Sequence, residues 1–405
     1  MFMTSSDYIA QKSIHKYDMF CSLPWEEVDI NLRDRSISWC CYSKDVSFPK
    51  DLTLDFFTNN SEHHDRKLAF LNEEKHSACN ECWMAEKNSG TSKRKVKSNT
   101  RIHSKIKANP ELDYLRVVGL TFDNTCTQSC LYCSSAFSSI IAEERGEAKF
   151  LKHNNKDIDV LLDWLDVVTK DRSKYLDLRI LGGEPLASVE FFKFLHTLEE
   201  KLADRKFRIH IVTNCGASDK LLHKIEKLIK NDRTNWLWSF GLSNEAMGSV
   251  AENIRFHLDW DVFDKNFNFF INQKVSYIIL AMTPNVFSIK HLPLYIQYVY
   301  DHLTEVDVPF GFINNWVTTP KVLSPANLPI EFRKYVDEAI QIVLNSKGEH
   351  AEACKNNVCI WLKSLRSLIG TGSYTSNDIE KFLIKENDYK NKKLDVSLLL
   401  DQIKL

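Results

Sequence analysis

The stretch LRVVGLTFDNTCTQSCLYC, residues 115–133, sets the reading of the whole chain. It opens on an apolar run, Leu115–Phe122, with the length and composition of a buried strand, and Asp123 and Asn124 bound it. Three cysteines follow at once, Cys126, Cys130 and Cys133, spaced C-x3-C-x2-C. Three thiolates on one short loop can bind three irons of a cubane [4Fe–4S] cluster and leave the fourth iron open to another ligand. A structural zinc site usually wants four ligands in CxxC pairs, so the triplet fits zinc poorly.

Outward from this strand, five more apolar strand candidates follow: Leu176–Leu181, Phe207–Thr213, Trp236–Leu242, Val275–Met282 and Val308–Ile313. Between them lie longer patterns such as VEFFKFLHTLEEKLA and IKHLPLYIQYVYDHL, apolar at spacings of three and four as helices are. Six β-then-α units argue for a parallel sheet covered by helices, because parallel strands need long crossovers. A doubly wound sheet and a partial barrel both satisfy that pattern. Residues beyond about 320 read as helices (IEFRKYVDEAIQIVLNS, DIEKFLIKEN, DVSLLLDQIKL). The first hundred residues differ, with short apolar bursts and five of the eleven cysteines. There VDINLRDRSISWCC reads as two short strands around a turn at Arg33, Asp34 and Arg35. The polar, basic stretch EKNSGTSKRKVKSNTRIHSKIK reads as a linker or solvated helix.

The chain has 405 residues, 43% of them hydrophobic, which is room for two or three domains with a real core. Its 53 Lys and Arg nearly balance 54 Asp and Glu, which argues against a nucleic-acid partner. No apolar run reaches membrane-spanning length, and MFMTSSDYIAQKSIHKYD lacks the apolar core of a signal peptide. A cytoplasmic location is therefore expected, where clustered thiols bind metal more often than they form disulfides.

With its C-x3-C-x2-C triplet after a first strand, the sequence resembles the radical S-adenosylmethionine (SAM) enzyme superfamily. The resemblance implies a partial (β/α)6 barrel of the TIM type. Cys126, Cys130 and Cys133 would hold the catalytic [4Fe–4S] cluster, SAM would bind its open iron, and Tyr132 would pack by the adenine. Further matches follow along the chain. Gly182, Gly183, Glu184 and Pro185 end the second strand, where the family holds the amino group of SAM. Glycines allow backbone carbonyls to approach an ammonium, and Glu184 adds negative charge. Thr213 and Asn214 end the third strand, followed by Cys215 where relatives often have glycine, so the special backbone conformation is expected to pass to Gly216. Ser243 follows the fourth strand and Arg255 comes twelve residues later, an offset common in the peptide-modifying branch, where they contact the carboxylate and ribose of SAM. Glu245 stands where that branch usually has Asp.

In the amino-terminal region Cys79 and Cys82 form a CxxC, and Cys21 with Cys40 or Cys41 supplies the remaining sulfurs. Four cysteines complete either a zinc tetrahedron or a closed [4Fe–4S] cluster, and spacing does not separate the two. The setting, with Cys21, Pro24 and Trp25, a hairpin into Cys40, then Cys82, Trp83, Glu86, Gly90, Ser92 and Arg94, resembles the twitch or SPASM-like modules of radical SAM proteins. The resemblance implies an auxiliary [4Fe–4S] cluster, although such modules more often follow the barrel than precede it. Cys40, at the hairpin end, is preferred over Cys41. Cys354 and Cys359 read as ordinary thiols on a helix, and His63, His64 and His76 as solvated loop residues.

The expected organisation is thus a cysteine-rich auxiliary module at 1–105, a barrel at 106–320 and a helical region at 321–405. The implied activity is reductive cleavage of SAM to a 5′-deoxyadenosyl radical that takes hydrogen from a peptide or small-molecule substrate. The auxiliary cluster would either take back an electron or orient the substrate. A reducing partner such as flavodoxin or ferredoxin is implied as well. The alternative from another class is a non-catalytic two-cluster iron–sulfur electron carrier or sensor. A mere cluster holder has no need of the Gly182–Pro185 turn or of the Ser243 and Arg255 pair.

Overall fold

The computed structural model describes residues 19–40, 43–89, 92–97, 100–112, 114–147, 155–170, 173–317 and 319–405. Its centre is a nine-stranded sheet in the order β11-β10-β8-β7-β6-β4-β1-β2-β3. Six of these strands are those anticipated: β4 (Val117–Thr121), β6 (Leu176–Leu181), β7 (Phe207–Thr213), β8 (Trp236–Ser243), β10 (Tyr277–Met282) and β11 (Phe310–Asn314). They run parallel with one another. β4 and β8 are buried along nearly their whole length, as strands covered on both faces by helices must be. Helices fill the crossovers. In Val189–Leu202, Phe191, Phe194, Leu195, Leu198 and Leu202 form one buried stripe, and the Ser188 hydroxyl caps it by accepting from the Phe191 amide.

The amino-terminal hairpin forms as read, from β1 (Glu27–Asn31) and β2 (Ser36–Ser38), with β3 (Val46–Ser47) beyond it. It does not stand apart, however. β1 pairs in parallel with β4 from Glu27 opposite Val117 to Asn31 opposite Thr121, so it adds a seventh parallel strand. Val28, Ile30, Leu32, Ile37 and Trp39 share one continuous core with the later strands and helices. A smaller core of Phe20, Cys21, Leu23, Trp25, Phe70, Trp83 and Ile106 lies where the parallel strands begin.

The basic stretch before β4 is only partly the solvated surface that its composition implies. It forms helices Lys93–Lys97 and Thr100–Ala108, and Arg94, His103 and Ile106 are buried. His103 packs its ring 3.9 Å from that of Phe20. Beyond β11 come the helices Arg333–Asn345, Glu349–Leu368, Ser376–Tyr389 and Val396–Gln402, in keeping with the helical reading of this region. No helix among the described residues is long and apolar enough to cross a membrane.

Candidate functional site

The triplet loop leaves the carboxyl end of β4 and is pinned by its own polar groups. Asp123 accepts from the Thr125 amide and from the Ser188 hydroxyl, which ties the loop to the start of the next helix. The Cys126 amide donates to Ser139 Oγ at 3.2 Å, and the Cys133 amide closes a tight turn on the Cys130 carbonyl at 3.0 Å. Ser129 and Cys130 form β5, which pairs antiparallel with β9 (Arg255–Phe256) and sets Cys130 opposite Arg255. Residues 125 apart in sequence thus become cross-strand neighbours.

The other residues implied by the resemblance sit at the same end of the sheet. Gly182 has φ +127°, and a Cβ on Gly183 would lie 2.2 Å from the Thr125 carbonyl oxygen, so only glycine fits this contact with the loop. Glu184 donates its amide to that same carbonyl at 2.6 Å. Its buried carboxylate accepts from the Asn214 amide at 2.6 Å and from the Leu186 amide at 3.0 Å. Burial pushes the Glu184 carboxyl up to about 7, opposed by those two hydrogen bonds. Pro185 opens a short 3-10 turn, Pro185–Ala187. Asn214 also donates through Nδ2 to Thr127 Oγ1 at 3.0 Å, and Thr213 accepts from the Cys215 amide. Ser243 closes β8. Arg255 forms a buried ion pair with Glu245 at 2.7 Å, and the Tyr132 hydroxyl donates to the same carboxylate at 3.0 Å. The guanidinium lies 5.6 Å above the Tyr132 ring.

One expectation is corrected here. Cys215 itself takes the left-handed conformation, at φ +59°, and Gly216 does not. Asn266 stabilises the turn by donating to the Cys215 and Ala217 carbonyls at 2.7 and 2.8 Å. The sequence reading also missed a buried network behind the loop. Lys390, from the carboxyl-terminal region, donates to Ser129 Oγ at 2.9 Å and to Glu144 at 3.0 Å. No local pattern announces a partner 261 residues away.

The amino-terminal cysteines converge as well. Cys21, Cys40, Cys79 and Cys82 line one cavity of about 340 Å³, open mouth included. Cys41 and Gly90 lie outside the described residues. Arg94 and Glu86 pair beside the cavity at 2.6 Å, with Arg94 also donating to the Phe20 carbonyl and standing 4.6 Å over the Trp83 ring. Among the described residues no three His, Cys, Asp or Glu side chains are disposed to hold a single metal ion. Four cysteines around one cavity match the ligand count of a closed [4Fe–4S] cluster and of a zinc tetrahedron alike. Burial pushes the Cys21 thiol up to about 12 and Cys126 to about 11, and raises Cys130 and Cys133 too, so a metal must displace protons to bind.

Of the three histidines expected to be solvated loop residues, His64 is exposed, though on the helix Ser61–Leu71, whereas His63 and His76 are half-buried. His63 lies on the helix Ser61–Leu71, stacks on Trp39 at 4.4 Å and contacts the Pro24 carbonyl at 2.6 Å. His76 caps the turn Ser77–Cys79 by accepting from the Ala78 amide. Cys354 and Cys359 are buried thiols on Glu349–Leu368, away from both cysteine groups in the sheet order, with Cys354 3.7 Å from the Tyr300 hydroxyl.

The two groups of cysteines occupy opposite ends of the sheet. Cys21 precedes β1 and Cys40 follows β2, whose Ser38 lies opposite Asp29, so both sit where the parallel strands begin. The triplet follows β4, where those strands finish. The span of β1 alone separates them by roughly 13 Å.

No protein-family model matches the chain, and no curated protein matches it. Among solved structures it is similar to Streptococcus suis SuiB, at 16% identity and a TM-score of 0.42, over 76% of this chain and 65% of that one. SuiB bound to S-adenosylmethionine gives 16% and 0.40, and SuiB bound to the precursor peptide SuiA gives 16% and 0.39, each over 77% of this chain and 68% of that one. The chain therefore spans about two thirds of the SuiB chain. At these scores the likeness bears on neither the site nor the activity of this protein.

Proposed function

We propose that this protein is a radical SAM enzyme acting on a peptide or peptide-like substrate, with a catalytic [4Fe–4S] cluster on Cys126, Cys130 and Cys133. The observation that carries this reading is the gathering of Glu184, Asn214, Tyr132 and Arg255 around the triplet at one end of the sheet. When bound, the cluster and SAM supply homolytic cleavage of the sulfonium C–S bond and hydrogen-atom abstraction. The chain itself supplies position and dryness. Gly182 and Gly183 let the β6 end press against the triplet loop, and Glu184 offers an anionic oxygen to an ammonium group. Arg255 offers a guanidinium to a carboxylate, and Glu245 keeps its buried charge balanced until then. Tyr132 gives a flat apolar face beside them.

The cavity of Cys21, Cys40, Cys79 and Cys82 is assigned a second, closed [4Fe–4S] cluster. Its place at the far end of the sheet favours electron transfer over contact with a substrate bound at the carboxyl ends. The choice of a peptide rests on the offset from Ser243 to Arg255. Anaerobically reconstituted protein given dithionite and SAM should release 5′-deoxyadenosine, and the Cys130→Ala variant should not. Iron-loaded protein that yields none would remove the enzymatic reading and leave the two-cluster carrier.

A further inference from the structure

The helix Ser61–Leu71 carries a buried arginine whose guanidinium nitrogens make no hydrogen bond among the described residues. Arg66 is fully buried, lines the cavity with Cys21, Cys40, Cys79 and Cys82, and its Nε, Nη1 and Nη2 have no hydrogen-bond partner among the described residues. Its ion-pair neighbour Glu62 stands 3.6 Å away and is 40% exposed, too far for a hydrogen bond. The Trp39 ring, 5.5 Å from the guanidinium, offers only a polarisable face. The other cavity arginine, Arg94, differs sharply, because Glu86 holds it through two nitrogens and the Phe20 carbonyl takes a third bond. A fully buried guanidinium whose donors are unsatisfied, and whose one ion-pair partner is a partly exposed carboxylate at 3.6 Å, is costly to keep, so the cavity favours an anion.

We propose that Arg66 is the counter-charge of a metal–thiolate anion held by Cys21, Cys40, Cys79 and Cys82, and that it tunes the potential of that group. The proposal rests on reading this cavity as a metal site. Four thiolates around a zinc ion, or around an oxidised cubane with its two net positive charges, make a dianion. The protonated thiols alone carry no charge, so the cavity with Arg66 is cationic when empty and anionic when filled. A guanidinium against the filled site stabilises its more reduced, more negative state and raises its potential.

The test uses the full chain with Cys126, Cys130 and Cys133 all replaced by Ala, so that only metal in the cavity is counted. Into it are placed Arg66→Met and Arg66→Lys, and iron, sulfide and zinc are measured per chain. Chelator-driven metal loss, the midpoint potential and the thermal midpoint of the metal-free protein are then compared. With Arg66→Met, metal should be lost at least about tenfold faster, because a paired buried charge has lost its partner. Where the metal is iron, the potential should become more negative. The metal-free Arg66→Met chain should be as stable as the parent or more so, since a buried cation with unsatisfied donors is gone, and Arg66→Lys should fall between the two. Metal bound in the parent but held equally well, at the same potential, by Arg66→Met overturns the proposal alone, as does equal destabilisation of the metal-free and loaded forms. A parent with neither iron nor zinc in the cavity overturns the metal reading and the proposal together.

Discussion

The two cysteine groups are built in opposite ways. The triplet comes from eight consecutive residues at the carboxyl end of one strand, and its buried charges already have partners: Glu184 with the Asn214 and Leu186 amides, Arg255 with Glu245. The other group draws cysteines from three segments between residues 21 and 82, encloses them in a cavity and leaves the Arg66 guanidinium without a hydrogen-bond partner among the described residues, its ion pair with Glu62 being 3.6 Å long. Buried charges that already have partners within the protein need no ligand to be satisfied. A cavity with an unbalanced charge is finished only when it is filled. On the proposed reading, the first is a site for exchange and the second a site for retention.

The sharpest way to break this comparison is to remove one side of it. Replacing Cys126, Cys130 or Cys133 with Ala should abolish SAM cleavage while the chain stays folded, because the loop hangs from a sheet that does not depend on it. About four irons per chain should be lost and about four kept. Activity in any of the three variants, or loss of all the iron, would contradict the separation. On the other side, Cys82→Ala should keep dithionite-driven SAM cleavage but lose product formation, with iron falling from about eight to about four per chain. Circular dichroism must first show that the variant folds. Unchanged turnover would reduce the cavity to a structural role.

Smaller effects sharpen the contrast in electrostatics. Glu245→Gln leaves Arg255 buried without its partner and should lower unfolding free energy by about 3–5 kcal/mol in denaturant titration. A loss below about 1 kcal/mol would mean that water reaches the pair. The smallest effect concerns pH. The Glu184 carboxyl is raised from 4.5 to about 7, so folding favours its protonated form. Its contribution is complete below the unfolded value and is lost as pH rises through about 7. Metal-free protein should therefore lose stability between about pH 4.5 and 7 relative to Glu184→Gln, in which that slope should vanish. Parallel slopes in the two proteins would place the titration elsewhere.

How much of this was legible in the sequence depended on distance along the chain. β6 and β7 fall on the residues anticipated, and β4, β8, β10 and β11 within two, because each carries its apolar residues either in a run or on every second position. The triplet was legible because its spacing is local. Alternation in VDIN identified a strand but said nothing of its partner, so its parallel pairing with β4 had to come from the structure. Lys390 beneath Ser129 was invisible for the same reason. Arg66 was hidden differently: within SEHHDRK every neighbour is polar, and such a helix reads as solvated. Cys215 took a backbone conformation that its type disfavours, because Asn266, from a helix some fifty residues on, holds the turn.

The most direct test of two separate sites with different openness is electron paramagnetic resonance of the dithionite-reduced protein with and without SAM. It should be run on the parent, on the chain lacking Cys126, Cys130 and Cys133, and on Cys79→Ala/Cys82→Ala. Two signals are predicted in the parent. SAM should perturb only the one that vanishes with the triplet, and should leave untouched the one that vanishes with Cys79 and Cys82. A single signal, or a cavity signal that responds to SAM, would contradict the account.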